Sequence, residues 1–64
     1  MTQKELLYME DAIGHEKSII NIICNLKDCV ENDDIRSFLE KDLKKHESFL
    51  NKLIKVLEEK SDER

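Results

Sequence analysis

The chain has 64 residues, 41% of them charged and 39% hydrophobic, with one Gly, no Pro and a net charge of −4. That is one small domain at most, of a size at which a single core is marginal without a staple or association, and its composition suits long amphipathic helices better than sheets or disorder. The acidic balance repels nucleic acid and anionic lipid, so neither nucleic acid nor membrane is an expected partner, and no run reaches the length needed to span a bilayer.

Thr2 followed three residues later by Glu5 is a capping box, in which a hydroxyl and a carboxylate each satisfy an orphan N–H of a first helical turn. From Leu6 the apolar residues Met9, Ile13, Ile20 and Ile23 follow three- and four-residue steps, joined by Ala12, Ile19, Ile22, Leu26 and Val30. At 100° per residue they cover nearly half of the helix circumference. The run Glu31, Asn32, Asp33, Asp34 breaks the pattern and offers N-cap residues and first-turn acids for a second helix. That helix carries Ile35, Phe38, Leu39, Leu43, Phe49, Leu50, Leu53, Ile54, Val56 and Leu57 on one face, with Lys41, Lys44, Lys45, Lys52 and Lys55 outside, and its end frays over Ser61, Asp62, Glu63 and Arg64.

The expected class is therefore all-α: a single antiparallel hairpin over residues 1–64, with helix 1 over about 3–30, a turn over 31–33 and helix 2 over about 34–60. Each helix would be about 38 Å long, and the connection permits only antiparallel packing. The apolar stripes are too wide for one two-helix contact. An isolated hairpin would leave a large apolar patch in water, so the expected working form is a homo-oligomer, most simply a dimer closing a four-helix bundle.

Three ionisable residues interrupt the apolar stripes. Glu16 projects into the middle of the helix 1 arc, His46 falls at the centre of the helix 2 stripe, and Asp42 lies one turn before His46 on the same face. Counted outward from the turn, Glu16 and His46 lie at comparable depth. Three readings stand beside one another. Glu16 and His46 could form a buried hydrogen-bonded pair. Two copies each of Glu16, Asp42 and His46 could meet across a dimer as ligands of a metal such as iron, manganese or zinc. The side chains could instead snorkel to solvent.

The remaining polar and aromatic features read as ordinary surface. Tyr8 borders the stripe with its hydroxyl in water, and His15 sits at the edge of the apolar arc. Gly14 with Ser18 one turn on is a small-residue pair on the outward face, a neutral feature or a close contact between dimers. Cys24 and Cys29 lie roughly 140° apart on one helix, too far round for an intrahelical disulfide, and lack the spacing of a zinc knuckle. Reduced thiols and the lack of a secretory leader point to the cytoplasm. No nucleophile–base arrangement or phosphate loop is visible, so an enzyme is not expected.

The stretch Tyr8, Met9, Glu10, Asp11, Ala12 with Glu16 and Lys17, followed on the second helix by Ile35, Arg36, Leu39 and His46, resembles half of a ferritin-like bundle. More narrowly it resembles the small spore coat F-type proteins of endospore-forming bacteria. The resemblance implies paired hairpins, a structural and non-catalytic role and a spore-associated setting. The ferritin-like di-iron signature pairs a Glu on one helix with Glu-x-x-His on its neighbour; Glu16 and His46 match two of its elements, but Leu43 stands where the second Glu belongs. The expected function is a small structural or interaction protein acting as a dimeric bundle. The alternatives are a metal-binding bundle using Glu16, Asp42 and His46, and a regulatory hairpin that binds a partner protein.

Overall fold

In a computed structural model, which describes residues 1–61, two α-helices account for nearly the whole chain: α1 over Gln3–Cys29 and α2 over Asp33–Ser61. Asp62, Glu63 and Arg64, where the sequence suggested fraying, lie outside the described residues. The start of α1 follows from the capping box. The Thr2 side chain accepts a hydrogen bond from the Glu5 N–H at 3.1 Å, and the Thr2 N–H donates to the Glu5 carboxylate at 2.9 Å, two of the four donors that a helix start leaves unsatisfied.

The connection is as short as the sequence suggested, and its chemistry is specific. Val30 leaves the helix with an extended backbone, φ −86° and ψ 130°. The Asn32 side chain then accepts a hydrogen bond from the Ile35 N–H at 3.0 Å and so caps α2. Arg36 reaches back across the corner to donate from its guanidinium to the Val30 carbonyl, supplying a partner for one of the carbonyls that a helix end leaves open. Asp33 and Asp34, in the first turn of α2, face the positive end of its dipole.

The two helices pack side by side into a rod of 48 × 15 × 11 Å. Its interior is thin. Among the described residues only Ile13, Glu16 and Ile23 are buried, and no side chain is fully enclosed. The shared seam on α1 runs through Leu6, Met9, Ile13, Glu16, Ile20 and Ile23, and on α2 through Leu39, Leu43, His46, Leu50, Leu53 and Leu57. Both sets repeat in alternating three- and four-residue steps, the pattern that keeps one face of a helix on its neighbour.

The broad stripe read from the sequence thus divides into two. On each helix a second series lies one residue before the packed one. On α1 it comprises Glu5, Tyr8, Ala12, His15, Ile19 and Ile22, continued by Leu26; on α2 it comprises Phe38, Asp42, Lys45, Phe49, Lys52 and Val56, preceded by Ile35. The same offset turns each second series about 100° in the same sense around its own axis, and because the helices are antiparallel both turn to the same side of the hairpin. Its large members stand open: Tyr8 is 60% exposed, Ile22 57%, Phe38 67% and Phe49 51%.

Gly14 lies on the opposite side, where an added Cβ would meet nothing within 4 Å, and the Ser18 hydroxyl donates to its carbonyl at 3.2 Å. Replacing Asn32 by Ala removes the cap of α2 and is expected to cost about 1 kcal/mol, whereas Gly should cost only a few tenths. Urea unfolding of the two variants beside the parent, at one fixed protein concentration, checks the order.

Candidate functional site

Polar chemistry inside this hairpin concentrates on one layer near mid-length. Glu16 enters it because it follows Ile13 by three and precedes Ile20 by four, a position that the α1 repeat turns into the seam. His46 enters it from α2 between Leu43 and Leu50 for the same reason. The two meet: His46 Nδ1 lies 2.7 Å from Glu16 Oε1 and 3.2 Å from Oε2. An ionised carboxylate can only accept, so the Nδ1–H donates to Glu16. On the other side of the ring, Nε2 is 3.7 Å from Asp42 Oδ1, one helical turn earlier on α2.

Burial differs sharply along this row. The Glu16 side chain retains 7% of its exposure, His46 29% and Asp42 39%. A carboxylate as secluded as Glu16 would be costly without a partner, and no buried side-chain polar atom among the described residues lacks one. The Glu16 hydrogen bond holds the His46 imidazole above its ordinary value of 6.5; partial desolvation works against that shift, and the charges of Glu16 and Asp42 add to it.

All three residues singled out from the sequence therefore share one layer. Of the readings open at that point, the Glu16–His46 pair is the one present within the chain. Glu16 and Asp42 flank opposite nitrogens of one imidazole, so the three form a row and do not converge on a common point. Among the described residues of one chain, no group of three or more His, Cys, Asp or Glu side chains is arranged to hold a metal ion. A ligand set drawn from Glu16, Asp42 and His46 would need a second copy to complete it.

The other titratable residues lie apart. His15 is exposed, the Lys4 ammonium stands 6.0 Å from the Tyr8 ring centroid, and both thiols are free, with Cys24 half-buried and Cys29 exposed. An open cleft at the free end of the rod is lined by Met1, Glu5, Tyr8, Met9, Val56 and Lys60. No helix among the described residues is long and apolar enough to cross a membrane.

Sequence reasoning anticipated an uncovered apolar patch but not which residues compose it, and it missed the Arg36 clasp. The signal for the first was present: Ala12 beside Ile13, Ile19 beside Ile20 and Ile22 beside Ile23 are adjacent apolar pairs that serve two seams at once. Comparison with family models, curated proteins and solved structures finds no match for this chain.

Because the folded pKa of His46 lies above its unfolded value, protonation stabilises the fold. That contribution is complete below about pH 6.5 and disappears as pH rises through the raised folded value. Glu16→Gln keeps the shape but removes the charge and weakens the acceptor. NMR titration should show the His46 pKa falling in this variant and its stability varying less between pH 6 and 8; an unmoved His46 pKa would refute Glu16 as the cause.

Proposed function

We propose that the hairpin is a non-catalytic structural or interaction protein whose working unit is a dimer, two hairpins closing one four-helix bundle. The observation that carries this reading is the open apolar face, built from residues of both helices on one side of the rod. Large apolar side chains exposed together on one side, interrupted here by His15, Asp42, Lys45 and Lys52, mark a candidate interaction site.

The total surface is large for the mass. A compact monomer of this mass would expose about 4,300 Å² by the usual size scaling, whereas the hairpin exposes 5089 Å². The excess, about 800 Å², comes with the thin rod shape, in which each helix has a single neighbour. A second copy is the occupant that the face itself describes, since its repeats are those of bundle helices. The likeness to coat F-type hairpins is the ground for placing such a dimer in an assembled, spore-associated setting.

The dimer predicts a concentration-dependent melting temperature and a mass of two chains by native mass spectrometry or sedimentation. Phe38→Glu puts a charge on the most exposed large apolar residue. It should convert dimer to monomer while leaving the Asn32 cap and the shared seam untouched. A parent chain that stays folded and monomeric at micromolar concentration, and binds a hydrophobic dye, would sink this reading and favour a hairpin that docks on a different protein.

One observation favours a metal-binding reading. With Nδ1 committed to Glu16, the Nε2 atom of a neutral His46 is the one left for a ligand bond, beside Asp42 Oδ1; a ligating histidine held by a carboxylate at its other nitrogen is common in metal sites. On that reading iron, manganese or zinc raises the melting temperature of the parent and not of His46→Ala. Identical shifts, or none, exclude it.

A further inference from the structure

We propose that the back of α2 is a docking surface for an acidic helix of another protein, with Lys41, Lys45, Lys52 and Lys55 forming the contact ridge about Ser48. Lys41, Lys45, Ser48, Lys52 and Lys55 follow one another in alternating four- and three-residue steps, the repeat that keeps one line of a helix on a neighbouring helix. Ser48 follows His46 by two residues, a turn of about 200°, so this line runs on the side of α2 away from the seam. At 1.5 Å per residue it is about 21 Å long.

Every member of the line is exposed, and so is Lys44 beside it. The acids of α2 lie off the line. Glu40, Glu47 and Glu58 stand about 80–100° to one side of Ser48 and Asp42 about 120° to the other, while Asp34 and Glu59 share its sector only beyond the two ends. None of these lysines forms an ion pair with a described carboxylate. Like charges about one turn apart, Lys41 with Lys45 and Lys52 with Lys55, weaken a helix that stands alone. The ridge therefore holds a charge that the hairpin itself does not use.

Ser48 is the small residue at the middle. The Ser18 hydroxyl turns back to donate to the Gly14 carbonyl, but the Ser48 hydroxyl makes no hydrogen bond with the described residues. Lys44 and Lys45 lie one turn before it and Lys52 one turn after. A carboxylate placed over Ser48 meets a hydroxyl donor with ammonium groups on both sides.

A slender acidic helix fits this ridge better than a broad polyanion. The whole chain carries a net charge of −4, so a duplex or an anionic bilayer that reaches round the rod meets repulsion. No aromatic ring stands within the line for an unpaired base to stack on. Neither helix of a second copy fits, since no two acids of α1 or of α2 stand three or four residues apart. A foreign helix with Asp or Glu at those steps matches the ridge along its length.

The probe is a fluorescent helical peptide of about 20 residues with Glu along one line at three- and four-residue steps, followed by anisotropy. A peptide of the same composition with its Glu residues scattered round the helix, a DNA duplex and phosphatidylserine vesicles are the comparisons. The patterned peptide should bind the full chain about tenfold more tightly than the scattered one, and weaken about tenfold between about 50 and about 300 mM salt. Lys41→Glu combined with Lys55→Glu should abolish binding, whereas Arg at both positions should keep it. Both lysines lie off the open apolar face, so the outcome does not depend on the dimer. Should the Glu variant lose its helical circular dichroism, Lys41→Gln with Lys55→Gln gives the same decision. Absent binding, equal binding of the two peptides, tighter binding of DNA or vesicles, or a folded variant that binds like the parent overturns the proposal.

Discussion

Two helices share one line of contact, and that geometric limit governs everything else in this molecule. A helix has the circumference for two or three neighbours, and a hairpin supplies it with one. Each helix here carries apolar residues for two, so the second series is left facing water. The thin interior follows from the same limit: Ile13 and Ile23 are the only buried apolar side chains among the described residues. At about 25 cal/mol per Å² of apolar burial, a seam this narrow offsets little of the entropy of ordering some 60 residues.

Within that limit, a carboxylate in the seam has to be explained. Glu16 sits where Ile or Leu would pack, and its exclusion from water is compensated by a hydrogen bond to a histidine that is itself half-open. The open side of His46 matters. It lets the proton exchange with solvent, and it lets Asp42 approach the second nitrogen. Removing one member of such a buried pair costs more than the pair itself contributes, because it leaves the other without a partner. A slip of the helices by one turn would leave Glu16 among leucines and isoleucines without a partner, so the pair fixes the register of the whole hairpin.

Much of this was legible in the sequence for definable reasons. The capping box, the Glu31–Asp34 break and the three-four spacing depend on local chemistry, and the helices begin and end within about one residue of where that chemistry places them. The level at which Glu16 and His46 meet was legible because a short turn makes depth countable from both sides. The division of each apolar stripe was not. Adjacent apolar residues such as Ile19 and Ile20 read on a wheel as one wide face, and only the position of the neighbouring helix decides which of the two is covered. The Arg36 clasp was equally hidden, since it depends on Val30 turning its carbonyl outward at the corner.

That corner also orders the events of folding. Every contact between α1 and α2 joins residues at similar distances from the turn, so closing the pair next to the Asn32 cap requires looping out only a few residues. Each later pair then adds a small increment of loop entropy. A chain built this way can zip from its corner outward, with the low contact order associated with rapid folding. Closing the seam is thus an intramolecular step that starts at the corner and moves towards the free ends of the rod.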